Sequence, residues 1–546
     1  MDSKRSNGDD TIVAVNSNST EPMSPVTRAD SAIPDTNLYS HLTLWQSVKK
    51  WRRVVLYCFA MTSAILMYGF DYVIVGTVTA MPSFQRDFGQ RLKEGSDQFI
   101  LPSLWLGLWN FISPGCAMVG AIAGGHFQDR FGRRPSLALG SLLCAAGVAV
   151  CFASGEPDSL GARRVMFLAG KGFQGGAIGM VMATAQTYMS EIVPPNLRGP
   201  LLAFFPMFTL LGQLVGAAVI FGCLDLERGY VVAFGTQWVF SAVPMVLAFL
   251  IPESPPFLVR KGRIEDAIKA QAKLDCPGND TRRIVEGIRI DIEHERRLAS
   301  ATYRDSFRKG NLRRTMIVMF VNMVPQLFGL ALLAKASYFV QIVGMKASLS
   351  VLVLILGILG GLIGNVASLW TLNNFGRRPL TITSLSAATV LWATMGIAGC
   401  FSGPATVWYT SAVMVAVIVI CGMGAWPCAH VIGSETSALH LRAKAQGLGY
   451  FTAGFGAALF GFFLPYIFNP DQGNLRAKTG FVYAGFCAVG VIVTFFCVPE
   501  MKGRTTSEID RMFELELPAR QFKSWTNPAA VGVKEEQRPD SSANPV

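Results

Sequence analysis

The sequence predicts an all-α membrane protein of twelve spanning helices, arranged as two six-helix halves joined by a cytoplasmic loop. Three observations carry this. Of the 546 residues, 51% are hydrophobic and only 15% are charged, where a soluble chain carries about 25% charged residues; the mean hydropathy is +0.38. The charges crowd into gaps between long apolar stretches. A bilayer imposes that pattern, because each span needs about 20 apolar residues and a charge inside one is costly. Finally, a short run built on Gly and Arg recurs at equivalent places in the two halves.

Residues 1–50 are rich in Ser, Asn, Asp and Pro and read as a disordered cytoplasmic tail. No cleavable signal peptide is visible, so the first span is expected to act as the targeting signal. Asn18-Ser19-Thr20 matches a glycosylation acceptor, but its cytosolic placement predicts that it stays unmodified. Apolar segments follow at 54–80, 103–127, 135–154, 164–188, 200–222 and 232–251, making an N-terminal half over 51–251. A polar stretch at 252–314 separates them from the next set. The apolar spacing within Ile264–Leu274 predicts a linker with short amphipathic helices. The second set lies at 315–341, 349–372, 379–399, 407–433, 446–468 and 479–498, a C-terminal half over 315–498. Residues 499–546 form a second polar, cytoplasmic tail.

Basic residues set the orientation. Lys49, Lys50, Arg52 and Arg53 precede the first span, and Arg260, Lys261, Arg263, Arg282 and Arg283 lie in the central loop, whereas 400–406 carries no charge. This bias places both termini and the central loop in the cytosol; Arg163 and Arg164 run mildly against it. The net charge of +12 therefore reflects loop anchoring and excludes nucleic acid as a partner. The 11 cysteines include Cys58, Cys116, Cys144, Cys151, Cys421 and Cys497 within apolar runs, with no CxxC pair and no metal spacing, so they read as packing residues. There is no HExxH, GxSxG set or P-loop, and glycine pairs such as Gly175-Gly176 fit helix packing, so neither an enzyme nor a cofactor site is predicted.

The run Gly125-His126-Phe127-Gln128-Asp129-Arg130-Phe131-Gly132-Arg133-Arg134 follows the second span, and Asn374-Phe375-Gly376-Arg377-Arg378 follows the eighth. Glu191-Ile192-Val193-Pro194-Pro195-Asn196-Leu197-Arg198-Gly199 follows the fourth, and Pro252-Glu253-Ser254-Pro255 the sixth. Glu435 with Arg442 follows the tenth, and Pro499-Glu500-Met501-Lys502-Gly503-Arg504 the twelfth. Together these resemble the sugar porter family of the major facilitator superfamily, over about residues 50–515. Tyr338-Phe339, Pro465-Tyr466 and the Asn469-Pro470-Asp471 stretch are most similar to fungal α-glucoside (maltose) permeases. The resemblance implies the twelve-helix major facilitator fold, a cavity between the halves and alternating access. It also implies a cytoplasmic gate formed by Asp129, Arg133, Arg134, Glu191, Arg198, Glu253, Arg377, Arg378, Glu435, Arg442 and Glu500. The plain alternative is that these are solvated loop charges, worth about 0–1 kcal/mol per pair.

Asp71 stands inside the first span, where an ionisable side chain points to function by default. It matches the first-span Asp of proton-coupled sugar porters, and their fourth-span Arg matches Lys171 here. The resemblance implies proton coupling through the two; the alternative is a static pair that fixes helices together. Lys335 is a further charge in the seventh span, either facing the cavity or snorkelling. The family's sugar-binding positions fall on Pro206, Pro325, Gln326, Ala331 and His430. Gln213, Asn322, Gln326, Lys335, Trp426 and His430 are the cavity candidates, and each polar one among them has a packing alternative. The expected partners are a small-molecule solute, protons and the lipid bilayer, with the chain a monomer in the plasma membrane. A sugar porter-like transporter for an α-glucoside, hexose or related solute is the leading reading. A transporter or exporter of a non-sugar fungal specialised metabolite and a non-transporting nutrient sensor are the alternatives.

Overall fold

A backbone surrounded by lipid must satisfy its own N–H and C=O groups, so the apolar segments fold as helices. The computed structural model describes residues 44–91, 99–275, 280–298, 302–438, 441–504 and 506–525. The Asn18 acceptor lies outside them. Twelve helices are long and apolar enough to cross a membrane. The first six are Arg52–Val78, Ser103–Phe131, Arg133–Gly155, Leu160–Ile192, Phe205–Gly222 and Gly229–Leu250. The second six are Lys309–Leu333, Ala347–Leu372, Arg377–Ala398, Pro404–Thr436, Lys444–Phe468 and Arg476–Cys497. Between the sets the linker forms the helices Pro255–Arg260, Ile264–Leu274 and Thr281–Leu298. The end of the bundle that carries this linker is called the linker end below, and the opposite end the distal end.

Three local features differ from the sequence expectation. Residues 44–50, assigned to the disordered tail, form the helix Leu44–Lys50, with Ser47 buried and Trp51 buried at the junction with span one. Polar composition missed it because the segment is held by packing against the fifth helix. Span seven is not one helix over 315–341. It runs Lys309–Leu327, Leu330–Leu333 and Ala336–Val343. Pro325 withdraws a backbone donor just before the first break, and Gly329 adopts φ 98°. A Cβ on Gly329 would also sit 2.9 Å from the Trp392 ring, so only glycine makes this turn. Span ten is divided in the same way at Gly424, between Pro404–Met423 and Ala425–Thr436. Pro427 is tolerated because it falls in the first turn of the new helix, where its missing N–H has no partner.

Glycines bring the backbones together. A Cβ on Gly175 of span four would lie 2.7 Å from the Ser113 Cα of span two, and one on Gly124 would lie 2.8 Å from the Met180 Cα. Close packing of this kind replaces the hydrophobic effect as the attraction between helices in lipid. The halves meet along two seams, span two against span eleven and span five against span eight. At the first seam a Cβ on Gly107 would lie 2.8 Å from the Phe462 carbonyl oxygen. Span one also crosses the divide to span seven, where Gly76 packs on Lys335.

A side chain at Gly175 must therefore push spans two and four apart. Gly175→Val should destabilise the protein by about 1–3 kcal/mol, read as a lower melting temperature in detergent, whereas Gly125→Ala, where a Cβ meets nothing within 4 Å, should leave it unchanged.

Candidate functional site

At the linker end the repeated motifs build two matching charge clusters. In the first half Arg133 forms a two-point pair with Glu191, Nε to Oε2 at 2.9 Å and Nη2 to Oε1 at 2.7 Å. Asp129 stands 3.5 Å from the same Nη2, and Arg260 lies 3.6 Å from Glu191. Glu253 accepts the backbone N–H of Arg133 at 2.9 Å and of Arg134 at 3.3 Å. The N-cap of that helix is Gly132, which has no side chain to cap with, so a carboxylate from after span six takes the orphan donors. Arg134 in turn donates to the carbonyls of Ala248 and Phe249, at the C-terminal end of span six.

The second half repeats the scheme. Glu500 accepts the N–H groups of Arg377 and Arg378 at 3.2 and 3.1 Å, above N-cap Gly376. Arg377 pairs with Glu435 at 3.0 Å, and Arg378 donates to the Phe495 carbonyl. Arg442 makes no ion pair among the described residues, and its buried Nε has no hydrogen-bond partner. The Arg198 side chain lies outside the description. The pairs Arg133–Glu191 and Arg377–Glu435 each stay within one half of the chain. In this conformation these motifs brace helix ends inside each half.

Inside the first half, Asp71 and Lys171 form an ion pair, with side-chain exposures of 7% and 1%. Ser113 donates to the other Asp71 oxygen at 3.2 Å. Lys171 also donates to Gln174 Oε1 at 3.0 Å, and Gln174 Nε2 donates to Gln237 Oε1 at 3.0 Å. Four spans thus meet in one polar chain: one, two, four and six. Sequence reading missed Ser113, Gln174 and Gln237, because uncharged polar residues in apolar helices carry no signal of their own. The i, i+3 spacing of Lys171 and Gln174 was the available clue.

Buried polar groups are ordinarily hydrogen-bonded, so those without a partner mark where a solute could supply one. Asn322 Nδ2 donates to the Val318 carbonyl at 2.8 Å, and the side chain lies where Gly449 leaves room. Gln326 packs beside Gly456, but its buried Oε1 has no partner. The side chains of Gln213, Lys335 and His430 make no hydrogen bond among the described residues. His430 is exposed although it lies inside span ten, one turn from buried Trp426. Span one presents Tyr68, Tyr72 and Gly76 at i, i+4 and i+8, a single helical face. The Tyr68 ring lies 6.1 Å from Tyr72 and 6.4 Å from Phe205 of span five, and Trp426 lies 6.5 Å from Phe328. Elsewhere, an apolar cleft of about 460 Å³ runs along the seam between spans five and eight, lined by Met207, Leu211, Leu362, Ile363, Val366 and Ala367. It offers a polar solute no ligand.

The distal end is closed by hydrogen bonds that cross between the halves. Ser337 Oγ donates to the Gly76 carbonyl at 3.2 Å, and Gln341 Nε2 to the Ala80 carbonyl at 2.7 Å. Asn469 Nδ2 donates to the Leu101 carbonyl at 2.8 Å, and within the second half Tyr338 holds Asn469 in place by donating to its Oδ1 at 3.3 Å. Asp471 accepts the Ser103 N–H at 2.7 Å and also the Ser103 hydroxyl. Span two starts after Pro102, which cannot cap it, so a carboxylate of the other half does.

Comparison with known proteins agrees with this architecture. A family profile described as "Sugar (and other) transporter" matches residues 55–513. The chain is 31% identical over 513 residues to the MFS transporter fmqE of Aspergillus fumigatus, covering 91% of this chain and 94% of that one. It is 28% identical to the alpha-glucosides permease MPH3 of Saccharomyces cerevisiae, covering 91% of this chain and 82% of the permease. Among solved structures, the inward open conformation of the xylose transporter XylE from E. coli superposes with a TM-score of 0.66 at 21% identity, over 84% of this chain and 99% of that one.

Removing the Asp471 carboxylate should loosen the distal closure. Asp471→Ala should cost the start of span two about 1 kcal/mol, so amide exchange at residues 103–106 should quicken about fivefold by hydrogen–deuterium exchange. Unchanged exchange there would show that Asp471 contributes nothing to the closure.

Proposed function

The chain belongs to the sugar transporter family of the major facilitator superfamily, and from that premise we propose that it is a proton-coupled secondary transporter that moves a sugar or related small polar solute by alternating access. It is a multi-pass membrane protein. Its relatives are transporters and permeases, not enzymes. The observation that carries the proton reading is the Asp71–Lys171 pair, nearly inaccessible and wired to Gln174 and Gln237. Ionised side chains persist inside a span only when paired, and breaking one member leaves the other uncompensated at a cost of about 3–5 kcal/mol. Protonation of Asp71 would cancel the attraction and free Lys171 to rely on Gln174. The relation of span one to span four then differs between the two protonation states, which is the two-state element a coupled transporter needs.

Access follows from the asymmetry of the two ends. The distal end is tied across the halves by Ser337, Gln341, Asn469 and Asp471, while the Arg133–Glu191 and Arg377–Glu435 clusters hold each half rigid without joining them. Rigid halves that rock about the seams of spans two and eleven and of spans five and eight would exchange the closed end. The linker end is read as cytosolic on its basic charge. The exposed Asp129 side chain is a carboxylate available for pairing across the halves when that end shuts, which is how the gate role of these motifs enters this reading.

Two measurements test it. In proteoliposomes carrying the full chain and a proton gradient, with maltose, glucose, D-glucuronate and maltobionate as solutes, Asp71→Asn should abolish accumulation of whichever solute the unmodified protein concentrates while its exchange continues, and Lys171→Arg should keep accumulation. Continued accumulation by Asp71→Asn would remove Asp71 from coupling. For orientation, an epitope inserted beside exposed Asp280 should stain only after cells are permeabilised, and staining of intact cells would reverse the topology.

A further inference from the structure

We infer that the transported solute is an organic acid, and that Lys335 is the side chain that binds its carboxylate. This rests on the reading of the chain as a transporter with its cavity between the halves, and it names the class of solute.

The argument begins with the charge balance of the interior. Asp71 and Lys171 neutralise one another. The Lys335 side chain has no hydrogen bond and no ion pair among the described residues. Among the described residues it therefore leaves the middle of the bundle with an amine that has no counter-charge. Keeping an ammonium out of bulk water without a partner costs several kcal/mol, and a hydroxyl cannot neutralise it. A carboxylate arriving with the solute does.

Its position fits that role. Lys335 sits in the break of span seven between Leu330–Leu333 and Ala336–Val343. A Cβ on Gly76 would lie 2.8 Å from its Cγ, so the stem of the lysine runs over the glycine. Gly76 lies on the same face of span one as Tyr68 and Tyr72, and at 1.5 Å per residue it stands about 6 Å distal to Tyr72. The closing bonds of Ser337 and Gln341 come later along span seven, toward the distal end. Lys335 is thus on the cavity side of the closure, as its roof. Tyr68 and Tyr72 come earlier on that face of span one, toward the linker end, and Trp426 belongs to the other half; such rings would provide flat surface for the body of the solute. The other cavity candidates without a side-chain partner, Gln213, Gln326 and exposed His430, add hydrogen-bonding capacity and no negative charge. The small Gly76 matters as well, because any side chain there would displace the lysine stem.

The test compares each acid with its uncharged counterpart: D-glucuronate with D-glucose, maltobionate with maltose, and hippurate with its primary amide. Binding to the purified full chain in detergent is read by calorimetry, and uptake into proteoliposomes in parallel. At least one acid should bind tenfold or more tightly than its neutral partner; the sugar-acid and aromatic-acid arms show which body the rings accept. Lys335→Met should erase that preference, and Lys335→Arg should restore it. Equal or better binding of the neutral member in every pair by the unmodified protein overturns the inference without any variant. Saturable uptake of glucose or maltose with acids excluded would overturn it too, yet leave the transporter reading standing. Absence of saturable binding and uptake for the whole panel would count against both.

Discussion

The pairing of Asp71 with Lys171 is the interaction to which the interior of this protein is fitted. Neither charge is tolerable alone between apolar helices. Each is held by a helix that a glycine lets approach its neighbours, and Gly175, four residues after Lys171, lies against the Ser113 backbone of span two. Ser113 itself completes the shell of Asp71. Packing and electrostatics therefore specify one another: the close approach of spans two and four brings the hydroxyl to the carboxylate, and the polar chain through Gln174 and Gln237 carries the same register to span six.

Helix termini solve a second problem with one device used three times. Spans two, three and nine begin at Pro102, Gly132 and Gly376, none of which can cap a helix with its own side chain. In each case a carboxylate distant in sequence takes the free N–H groups: Asp471, Glu253 and Glu500 respectively. Glu253 and Glu500 act inside their own halves and stiffen them. Asp471 acts across the divide and closes the distal end. The same physical contact, a carboxylate on the positive end of a helix, is thus a brace in one place and a latch in another, according to which half supplies it.

The breaks in spans seven and ten complete the picture. A continuous helix presents one face to the cavity, whereas the turn at Gly329 and the break at Lys335 allow span seven to send Gln326 toward span eleven and Lys335 toward Gly76. Irregular backbone at membrane depth is tolerated only where it is buried in protein or lines a cavity. The location of these breaks therefore agrees with the location of the unpartnered polar groups.

How much of this is legible without coordinates follows from the range of each interaction. Twelve spans, two halves and the family are written in the sequence, because hydropathy and motif spacing are local and the bilayer punishes any departure from them. The pair of Asp71 and Lys171 is legible for a related reason: a charge inside a span announces itself, and it must find an opposite one. Other features were decided by tertiary structure alone. The roles of Ser113, Gln174 and Gln237 depend on which helix faces lie within 3.2 Å of one another. Asp471 reads as one more loop carboxylate until the fold brings it to Ser103, 368 residues away in the chain. Asn322 and Lys335 read alike as polar residues of one span, yet Asn322 bonds to its own helix and the Lys335 side chain has no partner among the described residues. Composition and periodicity report what a residue is and which face it takes; whether its hydrogen bonds are met depends on neighbours that only the packed bundle supplies.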